Sequence, residues 1–121
     1  MATIVSNLPQ QIDYEIWQGD TWAPGTITAT ENGVGVNFTN WSAKMEISNA
    51  ISNDVAVTLT TPSSGITLDS FGVITLSMTA SQTNNLLGEY KYDLQLTNPS
   101  NQIRTYTYGT ITVTNDTTAN A

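Results

Sequence analysis

The sequence predicts an all-β domain: two antiparallel sheets packed face to face, seven to eight strands in all, with one short helical turn near residues 80–87. Three observations predict it. Apolar residues recur at every second position, which puts one face of each segment on a core and the other in solvent. Clusters of Gly, Pro, Asn, Asp and Ser separate these runs at short intervals. Threonine, whose branched Cβ suits a pleated surface, occurs 21 times in 121 residues.

The elements follow in order. Ile12, Tyr14 and Ile16 alternate with Asp13, Glu15 and Trp17. Ala43, Met45 and Ile47 alternate with Lys44 and Glu46, then Val55, Val57 and Leu59 with Ala56 and Thr58. Ile74, Leu76 and Met78 form the next set. The clearest set is Tyr90, Tyr92, Leu94 and Leu96 against Lys91, Asp93 and Gln95. Asn98-Pro99-Ser100-Asn101 joins that run to Gln102–Thr114 as a hairpin. In the last run the apolar parity changes between Tyr106, Tyr108 and Ile111, Val113, which places a β-bulge at Gly109. Residues 79–88 lack alternation and end in Gly, with Thr79 or Ser81 as N-cap, so they read as a helical turn crossing between the sheets. The expected core includes Met45, Ile47, Val57, Leu76, Tyr92, Leu94 and Ile111. Residues 1–10 read as an arm, 11–114 as the sandwich and 115–121 as a polar tail.

Composition excludes several kinds of chemistry. Cysteine and histidine are both absent, which removes disulfides, thiolate metal sites, cysteine nucleophiles and the commonest general base. Ten acids against three cations give a net charge of -7, which repels nucleic acid and anionic membranes. No apolar run is long enough to span a bilayer. The amino-terminal residues lack the basic start and apolar stretch of a secretory signal, so synthesis and retention in the cytoplasm, or release by lysis, is the expectation.

Carboxylate pairs remain as candidate chemistry. Asp13 with Glu15, and Glu89 with Asp93, share strand faces, but those faces are expected to be solvated, without the pocket that a glycosidase acid needs. A calcium site from Asn53, Asp54, Asp69 and Ser70 lacks the dense acidic spacing of calcium loops, and these residues read as turn formers. No catalytic residue, cofactor or metal is therefore expected. Aromatic and apolar anchors are the better candidates. Trp17 falls on the outward phase of its strand, Trp22 follows a turn, and Tyr106 and Tyr108 lie on the last strand. Ile4, Val5 and Leu8 make the arm apolar with no local partner. Trp41 reads as a plug between the sheets. Val34–Phe38 reads as a strand, with an edge for a neighbouring subunit as its other reading.

The order of several stretches resembles small immunoglobulin-like β-sandwich proteins of tailed bacteriophages, and is similar to the N-terminal module of phage baseplate upper proteins. The stretches are Gln18-Gly19-Asp20-Thr21, Phe38–Ile47, Gly65–Leu68, Gly72–Thr83, Gly88–Thr97 and Gly109–Thr114, together spanning most of residues 12–114. The chain departs from the pattern at Trp22–Gly25 and at Asn40-Trp41. The resemblance implies a structural accessory protein of the virion, either a head decoration subunit or an adaptor in the neck, tail or fibre. Its partners would be capsid, neck, tail or fibre subunits, contacted in a multimeric particle after synthesis in the host cytoplasm. The alternative is a carbohydrate-binding module that stacks glycans on Trp17, Trp22, Tyr106 and Tyr108.

Overall fold

A computed structural model describes residues 9–62 and 64–115, together with the backbone of residues 2–5. The strands are β1 (Ala2–Val5), β2 (Gln10–Gln11), β3 (Tyr14–Trp17), β4 (Thr26–Glu31), β5 (Val34–Gly35), β6 (Ser42–Asn49), β7 (Val55–Thr60), β8 (Ile66–Leu68), β9 (Val73–Leu76), β10 (Gly88–Thr97) and β11 (Ile103–Thr114). One helix, α1 (Ala80–Asn84), lies between β9 and β10. Among the described residues no helix is long and apolar enough to cross a membrane.

Two sheets form. The first runs β1-β4-β9-β8, with β5 also paired to β4; the second runs β2-β11-β10-β6-β7, with β3 also paired to β11. This is the immunoglobulin-like sandwich expected, but the described residues form eleven strands rather than seven or eight, because the segments at the sheet edges pair as separate short strands, and β1, β2 and β3 pair in parallel. Its interior is one cluster that includes Ile27, Met45, Ile47, Leu59, Ile74, Leu76, Tyr92, Leu94, Leu96 and Ile111. Strand β10 shows why alternation was legible. Its residues Tyr90, Tyr92, Leu94 and Leu96 are all buried, while β6 and β11 flank it on both sides. Val57 is half-buried, and Val55 is exposed because the register of β6 and β7 slips between Ile47 and Ser48.

The helical turn forms where capping chemistry puts it. The Thr79 side chain accepts from the Gln82 backbone, and the Gln82 side chain accepts from the Thr79 backbone, a reciprocal capping box. Thr83 is fully buried and donates to the Asp20 carbonyl at 2.7 Å, which ties the turn to the loop after β3.

One expectation about the chain's ends changes. The arm does not stand outside the sandwich: residues 2–5 pair in parallel with β4, Ile4 in register with Ala29 and Val5 with Thr30. Gln10 and Gln11 then pair in parallel with β11. The chain's first strands thus serve both sheets, and only a parallel partner distant in sequence makes this possible. Leu8 and residues 116–121 lie outside the described residues.

The bulge is also placed differently. Leu94 pairs with Thr107 but Gln95 pairs with Thr105, so Tyr106 is the extra residue and the bulge sits there. Both Tyr106 and Thr107 are buried, and the inward parity passes from even to odd numbers at that point. Gly109 stays in register opposite Tyr92.

Candidate interaction surface

The outer face of the larger sheet presents the exposed aromatic candidates. On β3, Tyr14 and Ile16 run beside Ile111 and Val113 and turn inward, so Glu15 and Trp17 face out. Trp17 is 52% exposed. Its backbone is held firmly: the Trp17 carbonyl accepts from Asp20 N–H at 3.1 Å, and the next residue, Gln18, donates to the Thr114 carbonyl at 2.8 Å. The Gln18 side chain donates to the Asn84 carbonyl at 3.1 Å. Leu87, also exposed, precedes the β10 end that pairs with Val113, so an apolar side chain lies close to the same end.

Tyr108 stands further along this face, in a cross-strand row with Asp93 and Glu46. It borders a shallow recess of about 360 Å³ that Ser48 and Lys91 also line. Trp17 pairs beside Thr114, six residues along β11 from Tyr108, so the two rings lie roughly 20 Å apart at about 3.3 Å per residue.

The other two aromatic candidates are core residues. Trp22 is 6% exposed, because its N–H and carbonyl bridge reciprocally to Met78 and its ring packs edge-on against Tyr14 at 5.1 Å. Tyr106 is 2% exposed, turned inward by the bulge and packed beside Phe38 and Trp41. A stacking platform of four rings is therefore not assembled. Trp41 is half-buried and packs against the core at the end of the sandwich where β4, β8 and β10 finish.

Glu89 and Asp93 are four residues apart on β10, and Asp93 lies opposite Glu46 on β6, with Asp93 and Glu46 beside the Tyr108 recess. Glu15 and Glu89 are exposed. Asp69 and Ser70 lie at the β8–β9 turn, whereas Asn53 and Asp54 lie in the β6–β7 turn at the opposite end, so the four do not share a site. Among the described residues no group of three or more acidic residues gathers.

Asp13 has a structural task. Between β2 and β3 the chain kinks, and the Asp13 carboxylate accepts from the Thr110 backbone N–H at 2.9 Å, taking a ladder position that the kink vacates. The Tyr92 hydroxyl donates to the neighbouring Ile12 carbonyl at 2.6 Å from the core side. Burial pushes the Tyr92 and Tyr14 hydroxyls upward, so both stay protonated. The Thr110 N–H, aided by the Gln11 side chain, holds Asp13 below its ordinary value of 3.8. A folded value below the unfolded one means the contact is fully present above pH 3.8 and is lost as pH falls through the folded value. The Thr110 amide resonance should therefore titrate with a midpoint below 3.8 and stay flat in Asp13→Asn. A midpoint at or above 3.8 would contradict the contact.

Sequence reasoning missed Phe71. It lies in the Asp69–Gly72 turn, which was legible only as a turn, yet its ring is 76% exposed.

No protein-family model matches the chain, and no curated protein matches it in sequence. Among solved structures it is similar to the N-terminal domain of phage TP901-1 ORF48, with a TM-score of 0.55 and 12% identity. The match covers 93% of this chain and 94% of that one. At this identity the likeness establishes a common fold, so the sandwich expected from the phage resemblance is one that a phage protein domain also adopts.

Proposed function

We propose that the protein is a structural accessory subunit of a tailed-phage particle, a head decoration subunit or an adaptor in the neck, tail or fibre, acting by protein–protein contact. The observation that carries this reading is a full-length fold match to a phage protein domain, with 93% and 94% of the two chains covered. The surface agrees. A half-exposed Trp17 whose backbone is fixed on both sides is the kind of residue that dominates interface energetics. Glu15 and Glu89 lie exposed on strand faces, which favours contact over catalysis at these candidates.

Mass spectrometry of purified particles tests the assignment: the chain should be present in particles and not merely in the lysate. Trp17→Ala should lower incorporation at least tenfold while the thermal unfolding midpoint stays near that of the parent, since the ring is half in solvent. Unchanged incorporation would remove Trp17 from the interface, and absence of the parent chain from particles would end the virion reading. The non-catalytic part fails if turnover on glycans is found that Glu15→Gln or Glu89→Gln abolishes.

A further inference from the structure

The outer face of the larger sheet carries a grid of polar side chains beside one exposed ring. Tyr108 on β11 lies opposite Asp93 on β10, and Asp93 lies opposite Glu46 on β6. Two residues along these strands, Lys91 lies opposite Ser48. Neighbouring strands stand about 4.8 Å apart and alternate residues about 6.6 Å apart, so the grid has the footprint of a single pyranose ring. The recess that these five residues line holds about 360 Å³. That falls within the roughly 300–1,000 Å³ of small-ligand sites. Tyr108 is 44% exposed, so its ring is open to a molecule lying in the recess.

The grid is restrained before any ligand arrives. Glu46 pairs with Lys44 at 3.5 Å, and the Lys91 ammonium donates to the Asn53 side-chain oxygen. Asp93 and Ser48 are half-buried. The Tyr108 carbonyl accepts from Ile12 N–H at 2.9 Å, which fixes the strand that carries the ring. Side chains already held in place lose less freedom on binding.

The lining selects the chemical class of ligand. The Asp93 and Glu46 carboxylates only accept hydrogen bonds, the Lys91 ammonium only donates, and the Ser48 hydroxyl does both. The two acids are matched by two lysines, Lys91 and Lys44, so this patch is neutral in a chain of net charge -7. An anion would meet Asp93 and Glu46. A cation would meet Lys91 and a Glu46 that is already paired. An apolar molecule would strip water from charged groups and return no hydrogen bond. Adjacent neutral hydroxyls serve donors and acceptors alike, and the weakly positive C–H face of a sugar suits the electron-rich face of a tyrosine ring. We infer that this recess binds a neutral pyranose sugar, one face of it on Tyr108 and its hydroxyls on Asp93, Glu46, Ser48 and Lys91. A site with one ring needs none of the four-ring platform that the fold fails to assemble. It is also independent of the virion reading.

Amide NMR of the full chain tests it, with the methyl glycosides of glucose, galactose, mannose, N-acetylglucosamine and rhamnose each titrated to about 100 mM. At least one should shift the amides of Glu46, Ser48, Asp93 and Tyr108 saturably, with a dissociation constant of about 1–30 mM. Tyr108→Ala should weaken that binding about tenfold, whereas Tyr108→Phe, which keeps the ring, should stay within about twofold of the parent. Asp93→Asn, nearly the same in shape, should weaken it at least about fivefold. All three variants should keep the parental spectrum away from the recess, which separates loss of the site from loss of the fold. The inference is overturned if no sugar of the five gives a saturable shift, or if Tyr108→Ala binds as the parent does. Shifts centred on Trp17 would overturn it too. So would glucuronate or arginine amide binding in the recess more tightly than every neutral sugar.

Discussion

Leu94→Ala should destabilise the fold by about 2–5 kcal/mol, read as a lower midpoint in urea at unchanged slope. Leu94 has no exposed surface and lies on the central strand of the larger sheet, between Met45 on β6 and Thr107 on β11, both also fully buried. Truncation removes the burial of three carbons and leaves a void that neighbours paired on both sides cannot close. Against a total stability of about 5–15 kcal/mol for a domain of this kind, such a loss is large. Gln95→Ala supplies the control. The next residue faces the other side of the sheet and should change stability by no more than about 0.5 kcal/mol. If the two effects were equal, or if Leu94→Ala cost under about 0.5 kcal/mol, the inward parity of β10 would be wrong.

That parity was legible because β10 is local in its logic. Ten residues alternate without interruption, and the hairpin to β11 closes through a four-residue turn rich in Asn, Pro and Ser. The capping box of α1 is local as well: Thr79 and Gln82 are three residues apart, and their spacing announces the turn. What could not be read depends on partners far along the chain. The backbone pairing of residues 2–5 could not be read because the strand beside them, β4, begins more than twenty residues later and pairs in parallel. Trp22 sits in a stretch without period, and its burial comes from a bridge to Met78. Tyr106 and Tyr108 share a parity and were read alike, but one extra residue in the ladder turned the first inward and left the second outside. Of the candidate anchors, Trp17, which the alternation put on the outward phase, and Tyr108 are exposed, whereas Trp22, which follows a turn and had no phase, and Tyr106 are buried, and Phe71 carried no signal beyond its turn.

Gly109→Ala should cost about 2–3 kcal/mol, a large effect for one added methyl group. The parity change made Gly109 look like a bulge, but its position answers a different need. A Cβ there would lie 2.4 Å from the Ile12 carbonyl oxygen and 2.6 Å from the Asp13 carboxylate, closer than any side-chain carbon sits to oxygen. The obstructing atoms are not free to yield. The Ile12 carbonyl accepts from the Tyr92 hydroxyl at 2.6 Å, Ile12 N–H donates to the Tyr108 carbonyl at 2.9 Å, and the Asp13 carboxylate accepts from Thr110 N–H at 2.9 Å. Making room for the methyl means peeling the kink between β2 and β3 away from β11, and the three hydrogen bonds go with it. The variant should then lose hydrogen-exchange protection at Ile12 and Thr110 first, and the titration of the Thr110 amide with Asp13 should vanish. Gly33→Ala separates collision from backbone conformation. Gly33 has φ of 80° but nothing within 4 Å of its would-be Cβ, so that variant should show only the conformational cost of about 1–2 kcal/mol, with exchange at Ile12 and Thr110 unchanged. A Gly109→Ala protein within about 0.5 kcal/mol of the parent, with Thr110 still protected, would mean that the kink accommodates a side chain and that the close approach of the two strands is not required for the fold.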